Sequence, residues 1–344
     1  MDRTITIYDI AREAGVSSAT VSRVLTGSSN VSQGKRESVL RLVDKYQFRP
    51  STVARGLSLT RTHTIGLVVA DIRNPYYAAL AVEIEKAAGE IGLTVLLCNA
   101  LNDRALEAKN LERLCGQRVE AIIQIGCSAD DRETDRDYAA LIRRVTRTTP
   151  YVTTSRIDGA PCGVVTIDCA EAVRQVFDLL VSLGHDRIAL AGGRDNVRST
   201  HEIFQHYLYF LGRHGLELRE DYVLEGSYSQ QGGYKCMRRL LETPCPPTAI
   251  IAINDYTAVG VLQAAAEQNV FAPRDFSLVS FDNTFLADIV RPRLTSVDYS
   301  YELFGSKLLN AALRMAERGA PDGIELIHPK LVVRDSCAAP KAVK

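Results

Sequence analysis

A small all-α headpiece followed by an α/β core of two doubly wound parallel-sheet lobes is the fold class this sequence predicts. Three observations carry it. Residues 1–63 show short amphipathic helix patterns and no strand signal. From Thr64 onward short apolar runs alternate with amphipathic helix patterns, the signature of parallel strands covered on both faces. These runs number about eight, too many for one compact open sheet, and the half beginning at Gly163 repeats the style of the half beginning at Thr64. The implied boundaries are a headpiece over 1–49, a hinge and linker over 50–63, and a two-lobed core over 64–344.

In the head, helices are predicted over 7–14, 18–25 and 33–46. Thr6, Ser17 and Ser32 stand just before them as N-caps, and Gly15 sits where the first must end. Ile10, Ala14, Val16, Val21 and Val24 can form one apolar interior between two crossed helices, with Ala11 small enough for close approach. Ser17, Ser18, Ala19, Thr20, Ser22 and Arg23 are then left pointing outward. Short polar side chains at the exposed start of a helix suit entry into a DNA major groove, and Arg23 can reach a guanine edge or a phosphate. A generic helical hairpin needs the glycine and the apolar positions but not that outer face. The head therefore reads as a helix-turn-helix DNA-binding unit.

The linker has its own logic. Residues 51–57 are too few for a stable isolated helix. Val53, Ala54 and Leu57 fall on one helical face, so two copies could support each other across a dimer axis. Leu57 could then wedge into a minor-groove step and bend the duplex, most easily at a pyrimidine–purine step. Packing of Leu57 on the core is the alternative.

In the core, strands are predicted over 65–70, 94–99, 121–126, 151–155, 163–167, 188–192, 249–253 and 278–281. Helices are predicted over 76–91, 103–116, 170–184 and 255–269. Ligand chemistry is expected at the carboxyl ends of the strands, in the gap between lobes. Asn254 and Asp282 both follow apolar runs, where an amide and a carboxylate can bind ligand hydroxyls; a capping role is the alternative for Asp282. The chain has no tryptophan, so tyrosine and phenylalanine must supply any stacking.

Composition narrows the function classes. Of 344 residues, 46% are apolar and 24% charged, ordinary for a globular protein. No apolar run approaches the ~20 residues that span a bilayer, and the opening MDRTITIYDIAREAG lacks the pattern of an export signal. A cytoplasmic protein with no membrane partner is the expectation. The eight cysteines (98, 115, 127, 162, 169, 236, 245, 337) contain no CxxC pair, so reduced thiols are expected, and neither a disulfide framework nor a metal site. Basic and acidic residues balance at 41 each, yet residues 1–63 carry ten basic against five acidic side chains. A basic head on an acidic body points to a polyanionic partner, with chance variation as the alternative.

Residues 5–63 resemble the headpiece of the lactose/galactose-repressor (LacI/GalR) family of bacterial transcription regulators. The resemblance lies in Thr6-Ile-Tyr-Asp-Ile-Ala, Ala14-Gly-Val-Ser, Thr20-Val-Ser-Arg-Val-Leu, Asn30-Val-Ser and Lys35-Arg-Glu. It continues through Tyr46-Gln-Phe-Arg-Pro and Val53-Ala-Arg-Gly-Leu57. The core resembles periplasmic sugar-binding proteins and that family's regulatory core. Here the matching stretches begin at Thr64 (TIGLVVADIRNPYY), Ser182 (SLGHDRIA), Ile253 (INDYTAVG), Leu278 (LVSFDNT), Pro292 (PRLTSV) and Leu331 (LVVRDS).

The resemblance implies a ligand-responsive repressor, a homodimer reading a pseudo-palindromic DNA operator through half-sites about one helical turn apart. It implies half-site selection by Ser18, Ala19 and Arg23. Further operator contacts fall on Thr6, Tyr8, Ser17, Thr20, Ser22, Asn30, Val31 and Ser32, and on Ala54 and Leu57 of a hinge helix formed on operator binding. Effector contacts fall on Tyr76, Tyr77, Tyr228, Asn254, Asp282 and Tyr301, for a sugar, a sugar derivative or a similar polar metabolite. One departure stands out. Sugar-binding members carry an arginine three residues before a Gly-aromatic pair, and here Ile203 and His206-Tyr207 occupy those places; Arg198 is the candidate to take over its contact. Residues 338–344 lack leucine heptads, so a dimer rather than a tetramer is expected.

Other classes fit less well. No Walker motif, GxSxG elbow or HExxH stretch is present, and Gly192-Gly-Arg lacks the full GxGxxG spacing. No catalytic residue and no cofactor are assigned, and His185 reads as a structural turn residue. A transport-type sugar-binding protein without DNA function would share the core but would need an export signal and no basic head.

Overall fold

The computed structural model describes residues 5–25, 30–48 and 62–341. They fall into two compact units that divide between Thr62 and His63. The hinge positions Ala54 and Leu57 lie outside the described residues.

The first unit holds α1 (Ile7–Glu13), α2 (Ser18–Leu25) and α3 (Gln33–Lys45). A reciprocal capping box starts α1. The Asp9 carboxylate accepts from both the backbone N–H and the hydroxyl of Thr6, and the Asp9 N–H donates back to Thr6 Oγ1. The helix ends as Gly15 turns at φ +66°, a conformation that costs a residue with a Cβ. Ser17 Oγ then caps α2 through the Thr20 N–H. Ile10, Ala11, Val21, Val24 and Val39 are buried among the three helices, and Ala14 and Val16 are half-buried at the edge. Glu13 fastens the end of α3, accepting from Lys45 at 2.8 Å and from the Tyr46 hydroxyl at 2.7 Å. Ser32 stands at the N-cap position of α3, but its side chain makes no capping hydrogen bond.

The second unit is built on two six-stranded sheets. The strands are β1 (Thr64–Val69), β2 (Thr94–Asn99), β3 (Ala121–Ile125), β4 (Tyr151–Thr153), β5 (Gly163–Ile167) and β6 (Ile188–Ala191). They continue with β7 (Val223–Leu224), β8 (Ala249–Ala252), β9 (Ser277–Asp282), β10 (Thr295–Asp298), β11 (Glu325–Ile327) and β12 (Lys330–Val332). The helices are α4 (Pro75–Glu90), α5 (Arg104–Gly116), α6 (Arg136–Val145), α7 (Cys169–Ser182) and α8 (Arg198–Arg213), then α9 (Gln230–Leu241), α10 (Asp255–Glu267), α11 (Phe285–Ile289) and α12 (Tyr301–Arg318).

One sheet runs β11-β5-β4-β3-β1-β2 and the other β12-β10-β9-β8-β6-β7. All neighbours are parallel except β12, which pairs antiparallel with β10. The two lobes are as predicted, but their division is not. β5 belongs to the first sheet, between β4 and β11, so the second lobe does not begin at Gly163. The repeating βα style does not say which sheet a strand joins. That is decided by where the chain crosses over, and here it crosses after β5.

It crosses three times in all among the described residues: after Ile167, after Asp298, and between Ile327 and Lys330. α7 packs on α8 in the second lobe, whereas α12 returns to pack on α4 and β3–β5 of the first. The Asp168 N–H donates to the Ile327 carbonyl at 2.9 Å, and Gln175 holds Pro329 and Leu331 through both ends of its amide. The first and third crossings are thereby tied to each other.

Within the second lobe, α9 and α10 meet backbone to backbone. A Cβ at Gly233 would lie 1.9 Å from the Thr257 carbonyl oxygen, and one at Gly260 would lie 1.8 Å from that of Gln230. Glycine is what allows this approach.

Candidate functional site

On the head, the face of α2 opposite Val21 and Val24 presents Ala19 and Arg23, with Ser17 exposed at its start. Ser18, Thr20 and Ser22 are half-buried, less outward than the pattern predicts, because the short helix leans into its neighbours. Thr20 shares its hydroxyl with Ser17 at 2.9 Å. Tyr8 is 68% exposed; Thr6, Asn30 and Ser32 are exposed and Val31 half-buried. The Thr6 hydroxyl is engaged by Asp9, so any contact it makes to another molecule shares that oxygen.

In the core, the carboxyl ends of both sheets face a cavity of about 890 Å³ of empty space, counting its open mouth. Asn74, Tyr76 and Tyr77 enter from the start of α4, and Asp130 from the turn after β3. Thr200, Glu202 and Ile203 come from α8, Tyr228 from beyond β7, and Asn254, Asp282 and Tyr299 from beyond or at the ends of β8, β9 and β10. This placement is the one a doubly wound sheet gives its ligand. An adjoining cavity shares Tyr77, Asp130, Ser199 and Tyr228 and reaches Arg104 and Arg194.

Each wall residue is held by recognisable chemistry. Asn74 caps α4 through the Tyr76 N–H, which sets both tyrosines at the cavity edge. The Tyr76 ring lies edge-on to Tyr77 and Tyr299, with centroids 5.2 and 6.3 Å apart. Burial raises the pKa of the Tyr76 hydroxyl, and the charge of Asp282 adds to the effect. The Tyr228 hydroxyl meets that of Thr200 at 2.5 Å, with the Arg194 guanidinium over the ring. Asn254 spends its oxygen on capping α10 at Thr257 N and reaches the Tyr228 carbonyl through its nitrogen.

Asp282 caps nothing. Its backbone sits at φ +94°, and burial, aided by nearby Asp255, holds its carboxyl well above the usual carboxylate range. Asp255 is saturated instead, accepting from Ser280, Ser296 and both the N–H and hydroxyl of Thr284.

Arg198 and Tyr301 are not among the wall residues. Arg198 opens α8, and its guanidinium pairs with Asp158 of the first lobe at 3.2 Å. The Tyr301 ring lies tilted against Tyr76, centroids 6.1 Å apart, and its hydroxyl donates to the Asp282 carbonyl at 2.8 Å, buttressing that strained residue. Ile203 lies in the wall without any polar group to offer.

Tyr299, Glu202 and Asp130 are wall residues the sequence reading did not select. The left-handed turn at Ser300 (φ +50°) and the start of α12 at Tyr301 break the strand alternation that would put both rings on one side, so Tyr299 lines the cavity while Tyr301 packs against Tyr76. Position two residues from Tyr301 was the available signal. The lobes also touch beside the cavity: Ser199 donates to Asp130 through its hydroxyl at 2.6 Å, Arg132 N–H donates to Asn196 O at 2.9 Å, and Arg132 pairs with Asp195.

Among the described residues no helix is long and apolar enough to cross a membrane, and no group of acidic, histidine and cysteine side chains could hold a metal. His185 is buried between Thr248, Ser277 and Ala338.

A helix-turn-helix head and a two-lobed core with a cavity at its strand ends define a DNA-binding transcription regulator with a ligand-binding domain. Comparison with known proteins agrees. Residues 6–51 match the family model of bacterial regulatory proteins, lacI family, and residues 177–337 match a periplasmic binding protein-like domain. Catabolite control protein A of Priestia megaterium is 34% identical over 295 residues, spanning 85% of this chain and 87% of that protein. The transcriptional repressor PurR of Mannheimia succiniciproducens is 29% identical over 96% of this chain and 98% of its own length. Among solved structures, a lac repressor dimer bound to operator and the anti-inducer ONPF superposes with a TM-score of 0.87 at 25% identity, covering 98% of this chain and all of that one. A complex of the transcriptional regulator CelR with cellobiose gives 0.72 at 26% identity, over 96% and 99%. The chain belongs to the lacI family of bacterial regulatory proteins.

Proposed function

We propose that this chain is a homodimeric, cytoplasmic repressor whose two heads read a pseudo-palindromic operator and whose inter-lobe cavity takes a small polar effector. The carrying observation is the division of α2 into a buried side at Val21 and Val24 and a presented side at Ala19 and Arg23. Arg23 is assigned to a base edge or phosphate, Ser18 and Ala19 to half-site choice, and Thr6, Tyr8, Ser17, Thr20, Ser22 and residues 30–32 to the flanking contacts. Ala54 and Leu57 keep their assignment as hinge contacts on the sequence alone, with Leu57 as the minor-groove wedge. In the core, Tyr76, Tyr77, Tyr228, Asn254 and Asp282 are assigned to the effector, while Arg198 and Tyr301 support the wall from behind. Effector binding shifts the balance between two lobe angles, and operator affinity follows.

The test is selection of a double-stranded site from a random library with the purified chain, followed by fluorescence anisotropy on that site. Arg23→Ala is expected to weaken binding by about 1–3 kcal/mol, and wild-type affinity to fall steeply with salt. A library that yields no preferred duplex defeats the reading.

A further inference from the structure

The wall of the inner cavity is acidic and aromatic, and among the described residues no lysine, arginine or histidine contributes to it. Asp130, Glu202 and Asp282 all line it, beside the rings of Tyr76, Tyr228 and Tyr299. The first two have partial compensation. Asp130 accepts from Ser199, and the charge of Arg198 acts on both Asp130 and Glu202 although its guanidinium is paired to Asp158. The guanidiniums of Arg104 and Arg194 lie in the adjoining cavity, one paired to Asp131 and the other over the Tyr228 ring.

Asp282 has no such relief. It is only 9% exposed, yet among the described residues no donor hydrogen-bonds its carboxylate, and the charged group that acts on it is another acid, Asp255. Asp255 already has four donors of its own, so none can turn to Asp282. A buried carboxylate without a partner is costly, and the cost is removed when a cation is supplied. Aromatic faces around the same space attract a cation further.

We infer that the inner cavity takes a compact ligand bearing a protonated amine, an amino sugar being the simplest class, with its ammonium at Asp282 and its body against the tyrosine rings. This rests on the proposal that the cavity is the effector site. The remaining hydroxyls of such a ligand meet Asn74, Thr200 and the amide of Asn254, and the absence of a wall cation disfavours sugar phosphates and acids.

Titration calorimetry on the full chain at neutral pH tests it, comparing glucose and galactose with glucosamine and galactosamine, with N-acetylglucosamine as an uncharged amide of similar shape and spermidine as an acyclic amine. At least one amine is expected to bind at least about tenfold more tightly than its uncharged counterpart, a difference of about 1.4 kcal/mol. Asp282→Asn should bring amine and parent to parity. Glu202→Gln, on a more exposed part of the wall, should reduce the preference by less and guards against a fold defect in the first variant. A neutral sugar that binds as tightly as its amine, or failure of every amine to bind, overturns the inference. A neutral sugar that releases operator refutes the charge assignment and leaves the effector reading standing. An amine that binds without changing operator affinity does the reverse.

Discussion

Two carboxylates less than thirty residues apart show how environment separates structure from readiness. Asp255 is wholly buried and wholly satisfied, so it holds the ends of β9 and β10 to the start of α10. Asp282 is 9% exposed at the cavity, with no partner for its carboxylate among the described residues and a strained backbone. His185 is a third buried group and is structural, as its turn position suggests. One ring nitrogen faces the Thr248 hydroxyl at 3.0 Å and the other the Ala338 carbonyl at 3.0 Å, an arrangement that suits a neutral ring. Burial lowers its pKa below the usual histidine value. The folded chain therefore binds this proton less readily than the unfolded one, so its contribution is present above the ordinary histidine range and is lost as pH falls through it. Melting temperature is expected to decline between about pH 7.5 and about pH 5.5, and the decline should be shallower in His185→Gln. Equal slopes for the two proteins would remove His185 from the account.

Among the elements, those with several turns or strands of unbroken apolar pattern were legible in the sequence to within a residue or two, such as α4, α5, α10 and β1–β3. β7, with two residues, and β11 and β12, with three each, carry too short a period to be read. The membership of β5 was not legible because identical local patterns serve either sheet. The site was legible where it sits just past a strand, as at Asn254 and Asp282, and illegible where side-chain direction matters, as at Tyr299 against Tyr301. The contact of α9 with α10 was equally hidden, since nothing in a lone glycine says whether open space or a carbonyl lies beyond it. At Gly15 a Cβ would meet nothing, whereas at Gly260 it would meet backbone. Gly260→Ala is expected to destabilise the core by about 2–3 kcal/mol, a fall of roughly 3–5 °C in melting temperature for a unit of this size. Thermal unfolding followed by circular dichroism checks it, and an unchanged melting temperature would mean the helices part without cost.

For the whole molecule, the two units differ greatly in the apolar surface they enclose. Among the described residues the head buries five apolar side chains, while the core buries dozens across two sheets. A domain as small as the head is marginal by itself. Calorimetry of the full chain should accordingly show two transitions, the lower one from the head, and a bound effector should raise the upper one alone. A single transition that moves as one would contradict the division at Thr62. The lobes of the core, by contrast, are joined by three covalent passages, two of them laced to one another near Asp168, Ile327 and Pro329. Such a lacing works as a flexural pivot. It resists sliding and stretching and yields to bending, so the only soft motion left to the pair is rotation about a line through the passages. Displacements then grow with distance from that line, and a small rearrangement around one occupant becomes a large excursion at the far rim.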